Sequence, residues 1–460
     1  MNNSSRALVG RHLVRYGFAG DEHFLVGDFL DTYDQLVINA TMVAHIPAGL
    51  AAFLVQRAKG KPYFIDPQTH AFQHDVSNFQ SESENREGEI KIKRPVAALI
   101  RAYGDPIETT VSGNNNPVLP GDFQDDVQRK EFCERVIRFQ LDSIPTQSDQ
   151  SDSAKYMGFL KKKGLADATK RDPALVIAPY FYLTSNTFGD WLEVNLKCLK
   201  DSMPAVKDVP LAAQIVISRD VLANEDQREK LASAYSPLKL RVLLLWVDSF
   251  PEDEASEAEL RCFKDLIERL GRRGAKVANL YGGFFSVALS RTGLVPALAG
   301  VTHGLEYGED RPVTPVGGGF PIAKFYVPAL HSRVPFRQAL RAVEALRGLQ
   351  SKDEFHQHVC KCPECQKVIR QDPKEDFYDN YGRTSPIRGG REIPTQETKE
   401  HCVRHYMWAK QSEYETAKDP VKIASDLRKT AEALERRLGS DAVAHCRAWA
   451  KILTDLAEKR

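Results

Sequence analysis

Short apolar segments alternate with helical segments along most of this chain, and that alternation restricts its fold more than any other feature. Seven segments have the apolar or β-branched composition typical of strands: residues 36–40, 63–65, 175–178, 212–218, 242–247, 277–281 and 298–303. Apolar residues at helical spacing predict helices between them, at residues 126–141, 190–199, 225–234, 257–270 and 284–291. Repeated βα units imply parallel strands covered by helices. Seven or eight such units fit a closed (β/α)8 TIM-type barrel, whose usual size is about 250 residues plus insertions.

The rest of the sequence indicates how the chain is divided. Residues 1–350 form the predicted α/β barrel, residues 351–415 a metal-binding subdomain, and residues 416–460 a C-terminal helical hairpin whose first helix ends at Gly439. Polar tracts without apolar periodicity predict long loop insertions in the barrel, at residues 78–94, 107–122 and 145–155. No G-x-G-x-x-G motif follows an early strand, which argues against an open, doubly wound sheet.

Three cysteines form the pattern C-x-C-x-x-C at Cys360, Cys362 and Cys365. Thiolates at this spacing can face one small cation, and zinc takes four thiolate or imidazole ligands in a tetrahedron. The fourth ligand must come from further along the chain. His401 and His405 are four residues apart, hence on one helical face, and either could complete the site. A site closed by four protein ligands is expected to be structural, since it leaves no open position for water.

Composition constrains the compartment and the partners. The chain has eight cysteines among 460 residues and no recognisable signal peptide, so we expect reduced thiols and a cytoplasmic protein. No apolar run reaches the roughly 18 residues that a membrane span needs. The formal net charge is +1, so nucleic-acid binding would require a local basic face. The densest basic tract, residues 155–171, interleaves lysines with Tyr156 and Phe159, which suits phosphate contacts with stacking but also an ordinary solvated surface.

Carboxylates follow several predicted strands, where a barrel places its chemistry. Asp66 follows residues 63–65, Asp248 follows residues 242–247, and Glu306 comes shortly after residues 298–303. A helix N-cap or an ion pair is an equally good explanation for Asp248, which precedes an acidic helix start. Asp66 and Glu306 lie among glycine, proline, histidine and aromatic residues, a setting that favours a constrained pocket.

A barrel pattern followed by C-x-C-x-x-C and a later histidine resembles the tRNA-guanine transglycosylases, which exchange guanine for a 7-deazaguanine base. In that family the second strand ends in Asp-Ser-Gly-Gly-Phe-Gln. The segment from Asp66 to Gln73 looks like a version two residues longer, with Phe72 and Gln73 at its end. Residues 242–252 resemble the strand beside the bound base, and residues 279–283 resemble the next strand and its glycine turn. The similarity spans roughly residues 36 to 415.

This chain also departs from the family. The family's nucleophile is an aspartate in a Met-Phe-Asp context at the end of the last strand, and no such tripeptide occurs here. Glu306 is the expected replacement, with Glu309, Asp310 and His303 as rivals. The 36 residues from Cys365 to His401 are about ten more than the family usually has, and His401 is the expected ligand with His405 as the alternative.

The resemblance implies roles for these residues. Glu306 would attack the sugar to form a covalent sugar–enzyme intermediate, Asp66 would act as acid and base, and His303 would orient one of the two. The expected base-binding residues are Phe72, Gln73, Asp248, Gly282 and Gly283. Zinc would be structural, held by the three cysteines and one histidine.

Such a compact relative resembles most the DNA-modifying paralogues of bacteria and phages, which install 7-deazaguanine bases in DNA. The expected partners are therefore DNA, a 7-deazaguanine base and accessory DNA-modification proteins, with no membrane, and a homodimer stays open. Two alternatives remain: the same exchange on tRNA, and a non-catalytic, zinc-containing subunit that binds nucleic acid.

Overall fold

A computed structural model describes residues 9–17, 19–81, 91–144, 172–305, 308–314, 323–387 and 390–459. Within this part of the chain a parallel β-barrel is surrounded by helices, so the (β/α)8 TIM-type prediction is confirmed. None of the described helices is both long and apolar enough to cross a lipid bilayer.

Nine strand segments form the barrel. They are β1 His12–Tyr16, β2 Gln35–Asn39, β3 Tyr63–Asp66, β4 Val176–Ile177, β5 Tyr182–Leu183, β6 Leu211–Ile217, β7 Val242–Val247, β8 Lys276–Asn279 and β9 Leu298–Gly304. The short segments β4 and β5 both pair with β6 and together occupy the fourth position of the barrel. Parallel pairing of β1 with β9 joins the first and the last strand of the barrel in chain order, and the sheet ends at β3 and β4. Between β3 and β4, the N–H of Ala174 donates to the carbonyl of Tyr63 at 2.7 Å.

Helices follow the barrel strands and form the outer layer. They are α1 Ala40–His45, α2 Pro47–Ala52, α3 Arg94–Tyr103, α4 Asp126–Asp142, α5 Phe188–Ser202, α6 Arg219–Ala223, α7 Glu225–Tyr235, α8 Glu257–Gly271 and α9 Phe284–Arg291. Their starts are capped as the sequence suggests: Asp125 caps α4, and Ser256 with Glu259 forms a capping box at α8. Residues 107–122, predicted as a loop, contain the short helical turns Glu108–Gly113 and Pro120–Phe123.

Alternating side chains divide the barrel into an interior and an outer core, as the period of a strand requires. Leu13, Val37, Phe64 and Leu244 belong to the cluster inside the barrel. Their neighbours along the strands, such as Val14, belong to the larger cluster between strands and helices. The interior is therefore filled with side chains up to the carboxyl ends of the strands.

The chain after β9 forms a smaller region beside the barrel. It contains the hairpin β10 Lys324–Val327 and β11 Ser332–Pro335, the hairpin β12 Thr384–Pro386 and β13 Glu392–Pro394, and the helices α10 Phe336–Ala345, α11 Lys352–His358, α12 Pro363–Val368, α13 Pro373–Tyr381 and α14 Gln396–Thr416. The predicted helical hairpin is present as α15 Pro420–Leu438 and α16 Ala444–Glu458, and Gly439 ends α15 at φ +91°. Trp449 of α16 donates to the carbonyl of Glu252 at 3.2 Å, which attaches the hairpin to the barrel.

Gly300 allows β9 and β1 to approach closely, and this contact generates a prediction. A Cβ atom at Gly300 would lie 2.4 Å from the carbonyl oxygen of Gly10 and 2.7 Å from Leu13 Cδ1. Gly300→Ala should therefore lower the free energy of unfolding by about 1–3 kcal/mol, the usual cost of overpacking. Gly121→Ala is the control, because nothing lies within 4 Å of a Cβ there. Urea unfolding of both variants measures the difference, and equal stability would contradict this account of barrel closure.

Candidate active site and metal centre

A cavity of about 230 Å³ opens at the carboxyl ends of the barrel strands, where barrels of this type place their active sites. Arg15, Asn39, Asp66 and Trp246 reach it from β1, β2, β3 and β7. The segment 308–314, which follows β9, adds Arg311 and Val313. We refer to this cavity as the barrel mouth.

Asp66 is the centre of a buried hydrogen-bond network in the barrel mouth. Its Oδ2 accepts from Arg15 Nη1 at 2.8 Å, and its Oδ1 accepts from the Tyr180 hydroxyl at 2.5 Å and from the N–H of Gln68 at 3.1 Å. Burial by itself would raise the pKa of Asp66, but the charge of Arg15 and the hydrogen bonds from Tyr180 and Arg15 outweigh it and leave that pKa below its ordinary value. Asp66 is therefore an ionised carboxylate.

A chain of donors leads from His70 to Asp66. His70 Nδ1 lies 2.9 Å from the Tyr180 hydroxyl, which donates its own proton to Asp66. Burial lowers the pKa of His70 to about 3, so the imidazole is neutral and can carry a hydrogen on Nδ1. Burial and the Asp66 charge raise the pKa of Tyr180 well above its usual range, so the phenol stays protonated.

The turn after β3 is strained in a way that fixes this network. Gln68 has φ +55°, a left-handed conformation that a residue with a side chain adopts at a cost of about 1–2 kcal/mol. Its side-chain oxygen accepts from the N–H and the hydroxyl of Thr41 at 3.1 and 3.0 Å, and its own N–H points at Asp66. Such strain clusters at functional sites, where surrounding contacts enforce it.

Aromatic side chains and hydrogen-bond donors without a partner form the rest of the barrel mouth. Trp246 packs against Tyr281 with ring centroids 4.8 Å apart, and Phe72 lines the cavity from the turn after β3. Among the described residues, the buried Arg15 Nε and Nη2 and the Tyr281 hydroxyl have no hydrogen-bond partner. Buried donors are normally satisfied, so a ligand with acceptor atoms would complete this site.

The predicted base-binding residues fall into two groups. Phe72 lines the barrel mouth, and contact with a base stays a prediction. Gln73 instead binds the backbone of Tyr182 through both ends of its amide, at 3.2 and 2.5 Å, and Asp248 accepts from the Tyr182 hydroxyl and the N–H of Val313, both at 2.8 Å. Both residues therefore hold the rim of the cavity in place without lining it.

The glycine turn also has a packing role. A Cβ on Gly282 would meet Asn279 Nδ2 at 2.5 Å, and one on Gly283 would meet carboxylate oxygens of Glu309 and Glu252 at 3.0 and 3.1 Å. Glu252 accepts from the N–H and the hydroxyl of Ser286 and thereby caps α9. The two glycines make room for this cap and do not line the barrel mouth.

His303 does not orient a carboxylate of the barrel mouth, contrary to our expectation. Its Nε2 lies 2.7 Å from His12 Nε2, and its ring packs edge-on against Tyr406 of α14 at a centroid distance of 4.9 Å. Side chains alternate along β9, so the neighbouring Thr302 and Gly304 face the barrel interior and His303 faces outward. Glu306 and the basic tract at residues 155–171 lie outside the described residues.

Cys360, Cys362, Cys365 and His405 form a compact group in which all four potential ligand atoms lie within 4.8 Å of one another. The three sulfur atoms are 3.6, 3.4 and 3.3 Å from His405 Nδ1. A tetrahedral ion with thiolate and imidazole ligands would separate nitrogen from sulfur by about 3.5 Å, given bond lengths of about 2.0 and 2.3 Å. The four residues therefore fit one metal ion.

The structure decides between the two histidines that the sequence left open. His405 is held by Tyr326, whose carbonyl lies 2.7 Å from Nε2, and by Phe325, which stacks on the ring at a centroid distance of 4.3 Å. This contact leaves Nδ1 free to bind a metal. His401, the expected ligand, lies one turn earlier in α14, where its Nδ1 is 2.5 Å from Glu364 Oε1. His401 thus supports the subdomain as a hydrogen-bond partner of Glu364.

Lys410 connects the group of Cys360, Cys362, Cys365 and His405, which we call the metal group, to the barrel. It belongs to the same helix as His405, is fully buried, and its Nζ lies 2.8 Å from Glu309 Oε1 and 2.6 Å from Glu413 Oε2. Tyr326 and His331 also contact Glu413. Glu309 belongs to the segment 308–314, which lines the barrel mouth, so one ion pair joins α14, the helix that carries His405, to the rim of the cavity.

Comparison with known proteins does not assign this chain to a family. No protein-family model matches the sequence, and no curated protein matches it. Among solved structures, the carboxyl transferase domain of Rhizobium etli pyruvate carboxylase, determined with 3-bromopyruvate, matches with 11% identity and a TM-score of 0.24, over 98% of this chain and 77% of that chain. The resemblance to tRNA-guanine transglycosylases rests on the sequence motifs alone.

The metal group predicts different outcomes for the two histidines. His405→Ala and Cys362→Ser should each lose bound metal and lower the melting temperature, because three ligands hold an ion far less tightly than four. His401→Ala should keep about one ion per chain. Elemental analysis of the purified variants with parallel thermal unfolding measures both effects. Loss of metal from His401→Ala with retention in His405→Ala would contradict the assignment.

The Lys410 ion pairs predict a pH dependence of stability. Burial raises the pKa of Glu309 from 4.5 to about 7, with Lys410 opposing the shift and Glu413 adding to it. The folded protein then binds more protons than the unfolded chain between these two values, so its free energy of unfolding should fall as the pH rises through this window. Glu309→Gln should remove a fall on the order of 1–3 kcal/mol. Urea unfolding at several pH values tests this, with the exposed Glu344→Gln as control; an unchanged slope in Glu309→Gln would contradict it.

Proposed function

We propose that the protein is a base-exchange transglycosylase that replaces guanine in DNA with a 7-deazaguanine base through a covalent sugar–enzyme intermediate. The observation that carries this proposal is the ionised Asp66 at the end of β3, buried in an aromatic cavity beside unsatisfied donors. Displacement at an anomeric carbon requires such a carboxylate next to a site for a planar leaving group.

The barrel mouth offers suitable contacts for a purine. Trp246, Tyr281 and Phe72 give the cavity an aromatic lining, with the Arg15 guanidinium over the Tyr281 ring at 4.8 Å, and Arg15 and the Tyr281 hydroxyl provide donors for the carbonyl or ring nitrogen acceptors of a base. In a duplex the target nucleotide must first be flipped out, at a cost of a few kcal/mol, and an aromatic pocket offsets part of that cost.

The ionised state of Asp66 reverses the roles that the family resemblance implied for Asp66 and Glu306. A residue that protonates departing guanine must hold a proton beforehand, whereas Asp66 is kept ionised by Arg15 and Tyr180. We therefore assign the attack on C1′ to Asp66: its oxygen bonds to C1′ while the C1′–N9 bond breaks and the electron pair leaves with guanine. The proton for guanine would come from the second carboxyl group, Glu306. In the second half-reaction the incoming base attacks C1′ through N9, returns a proton to that group, and releases Asp66.

The metal in this proposal is zinc with a structural role. Three thiolates and one imidazole favour zinc, and four protein ligands leave no position for a substrate or for water. Cys360, Cys362, Cys365 and His405 would hold it and thereby fix α14.

Assay of base exchange tests the proposal and separates DNA from tRNA. Labelled guanine or 7-deazaguanine is offered with duplex DNA or with tRNA, and label in each polymer is counted. We expect label in DNA; label in tRNA alone would replace DNA by tRNA as the substrate. Absence of label from both polymers, together with absence of a denaturation-resistant protein–DNA adduct, would overturn the proposed reaction.

Mapping of the adduct tests the assigned roles. We expect the sugar on the peptide that contains Asp66 and no adduct in Asp66→Asn, whereas a sugar on the peptide that contains Glu306 would restore the roles expected from the sequence. Asp75→Asn is the matched control, since Asp75 is an exposed carboxylate in the turn beside the barrel mouth and caps only Ser77. Near-UV circular dichroism of Asp66→Asn checks that Arg15, now without its charge partner, has not unfolded the barrel.

A further inference from the structure

The end of the barrel opposite the mouth carries a groove of about 750 Å³ lined by four cationic side chains. Arg11 precedes β1, Arg241 precedes β7, Lys276 opens β8 and Arg291 ends α9. Strand starts lie at the amino-terminal end of a parallel barrel, so these four segments converge there. We call this feature the basal groove.

The basal groove is electrostatically unbalanced. No described residue that lines it is a carboxylate, and none of its four cations has an ion pair with any residue in the described part of the chain. Asp34 lies beside the groove: its Oδ2 accepts from the N–H groups of Arg11 and His12 at 2.9 and 3.0 Å, and its negative charge acts to raise the pKa of Arg291. The four cations that line the groove therefore outnumber this neighbouring carboxylate, and the groove carries an excess of positive charge.

Two of the cations are held in place by the backbone. Arg291 Nε donates to the carbonyl of Tyr414 at 2.6 Å, and Lys276 Nζ donates to the carbonyl of Pro296 at 3.0 Å. Burial lowers the pKa of Arg291, and the positive charge of Arg11 lowers it further. A fixed guanidinium that is partly desolvated beside a second one is a costly arrangement, which an anion in the groove would relieve.

From this arrangement we infer that the basal groove binds phosphate groups of a nucleic-acid backbone. Guanidinium groups bind phosphate through two parallel hydrogen bonds, and three of the four cations are arginines. The groove is concave and its volume lies in the range of sites that take more than a single ion, so it suits a strand better than the flat surface of a bilayer. It also supplies the local basic face that a chain of net charge +1 needs for binding a polyanion.

This inference shares with the proposed function only the expectation of a nucleic-acid ligand, because the basal groove and the barrel mouth lie at opposite ends of the strands. A labelled single-stranded oligothymidylate is the appropriate probe, since it contains no guanine and cannot be exchanged. Binding is followed by fluorescence anisotropy at several salt concentrations. Failure of base exchange with retained oligothymidylate binding, or the reverse, shows which of the two proposals has failed.

The double variant Arg11→Gln with Arg241→Gln should bind the probe about tenfold more weakly. The slope of log affinity against log salt should also become shallower by about 1.4, because each of the two lost phosphate contacts contributes about 0.7 to that slope. The side chains of Arg11 and Arg241 are exposed, so the fold should be preserved, which thermal unfolding checks. Lys429→Gln with Arg436→Gln removes the same charge from exposed positions of α15 and should leave affinity and slope unchanged.

Competition experiments identify the source of the phosphate. Thymidine monophosphate and inorganic phosphate should compete only at concentrations far above that of the oligonucleotide. If the mononucleotide bound as tightly as the oligonucleotide, the ligand of the groove would be a small phosphorylated molecule and not a nucleic-acid strand. Preferential binding to anionic vesicles would instead identify a membrane surface as the ligand. Equal losses of affinity in the two double variants would show that binding depends only on the net charge of the protein and would contradict a binding site in the basal groove.

Discussion

The buried ion pairs of Lys410 are the interaction on which the arrangement of this protein depends. An ammonium group without any solvent exposure is tolerated only when carboxylates surround it, and Glu309 and Glu413 do so at 2.8 and 2.6 Å. Removal of both carboxylates would leave the ammonium charge of Lys410 uncompensated in the core. Because Glu309 follows the last barrel strand and Lys410 follows His405 in α14, this contact joins the smaller region to the rim of the cavity.

The cysteine and histidine group is connected to the barrel through α14. His405 lies in this helix, which contacts the barrel at further points: Tyr414 donates to the carbonyl of Val301, and its ring stacks on His12 at a centroid distance of 4.1 Å. A metal ion there would order α14, α14 would hold Glu309, and Glu309 would hold the segment that carries Arg311. Its influence on chemistry would be mechanical.

The fold followed from the sequence wherever local periodicity was strong, and it was missed where strand signals were weak. The helix predicted at residues 284–291 and the strand predicted at 242–247 have those bounds in the structure. β1 was not predicted, because His12 and Arg15 interrupt its apolar pattern; both are polar for reasons that only the assembled barrel explains. Arg15 pairs with Asp66 from a strand 51 residues away, and His12 meets His303 from the last strand.

Prediction of the site from the sequence was limited in the same way, because local patterns were recognisable and contacts between distant segments were not. The three cysteines were recognisable because their spacing is local, whereas the choice between His401 and His405 depends on β10, which supplies the carbonyl of Tyr326 and the ring of Phe325. Asp66 was recognisable from its position after a strand, but its charge state was not, since Arg15 and Tyr180 come from distant segments.

That charge state constrains the chemistry of the barrel mouth further. Asp66 is the only carboxylate among the described residues that line the cavity, and it is held as an anion by donors on both oxygens. His70 is neutral and uses its Nδ1 toward Tyr180, so it has no acidic proton to give at neutral pH. A displacement that also requires a proton donor must therefore recruit a group beyond these residues, and the carboxyl group nearest in sequence to the end of β9 is that of Glu306. A double displacement of this kind needs two carboxyl groups, and the described lining of the cavity supplies one of them.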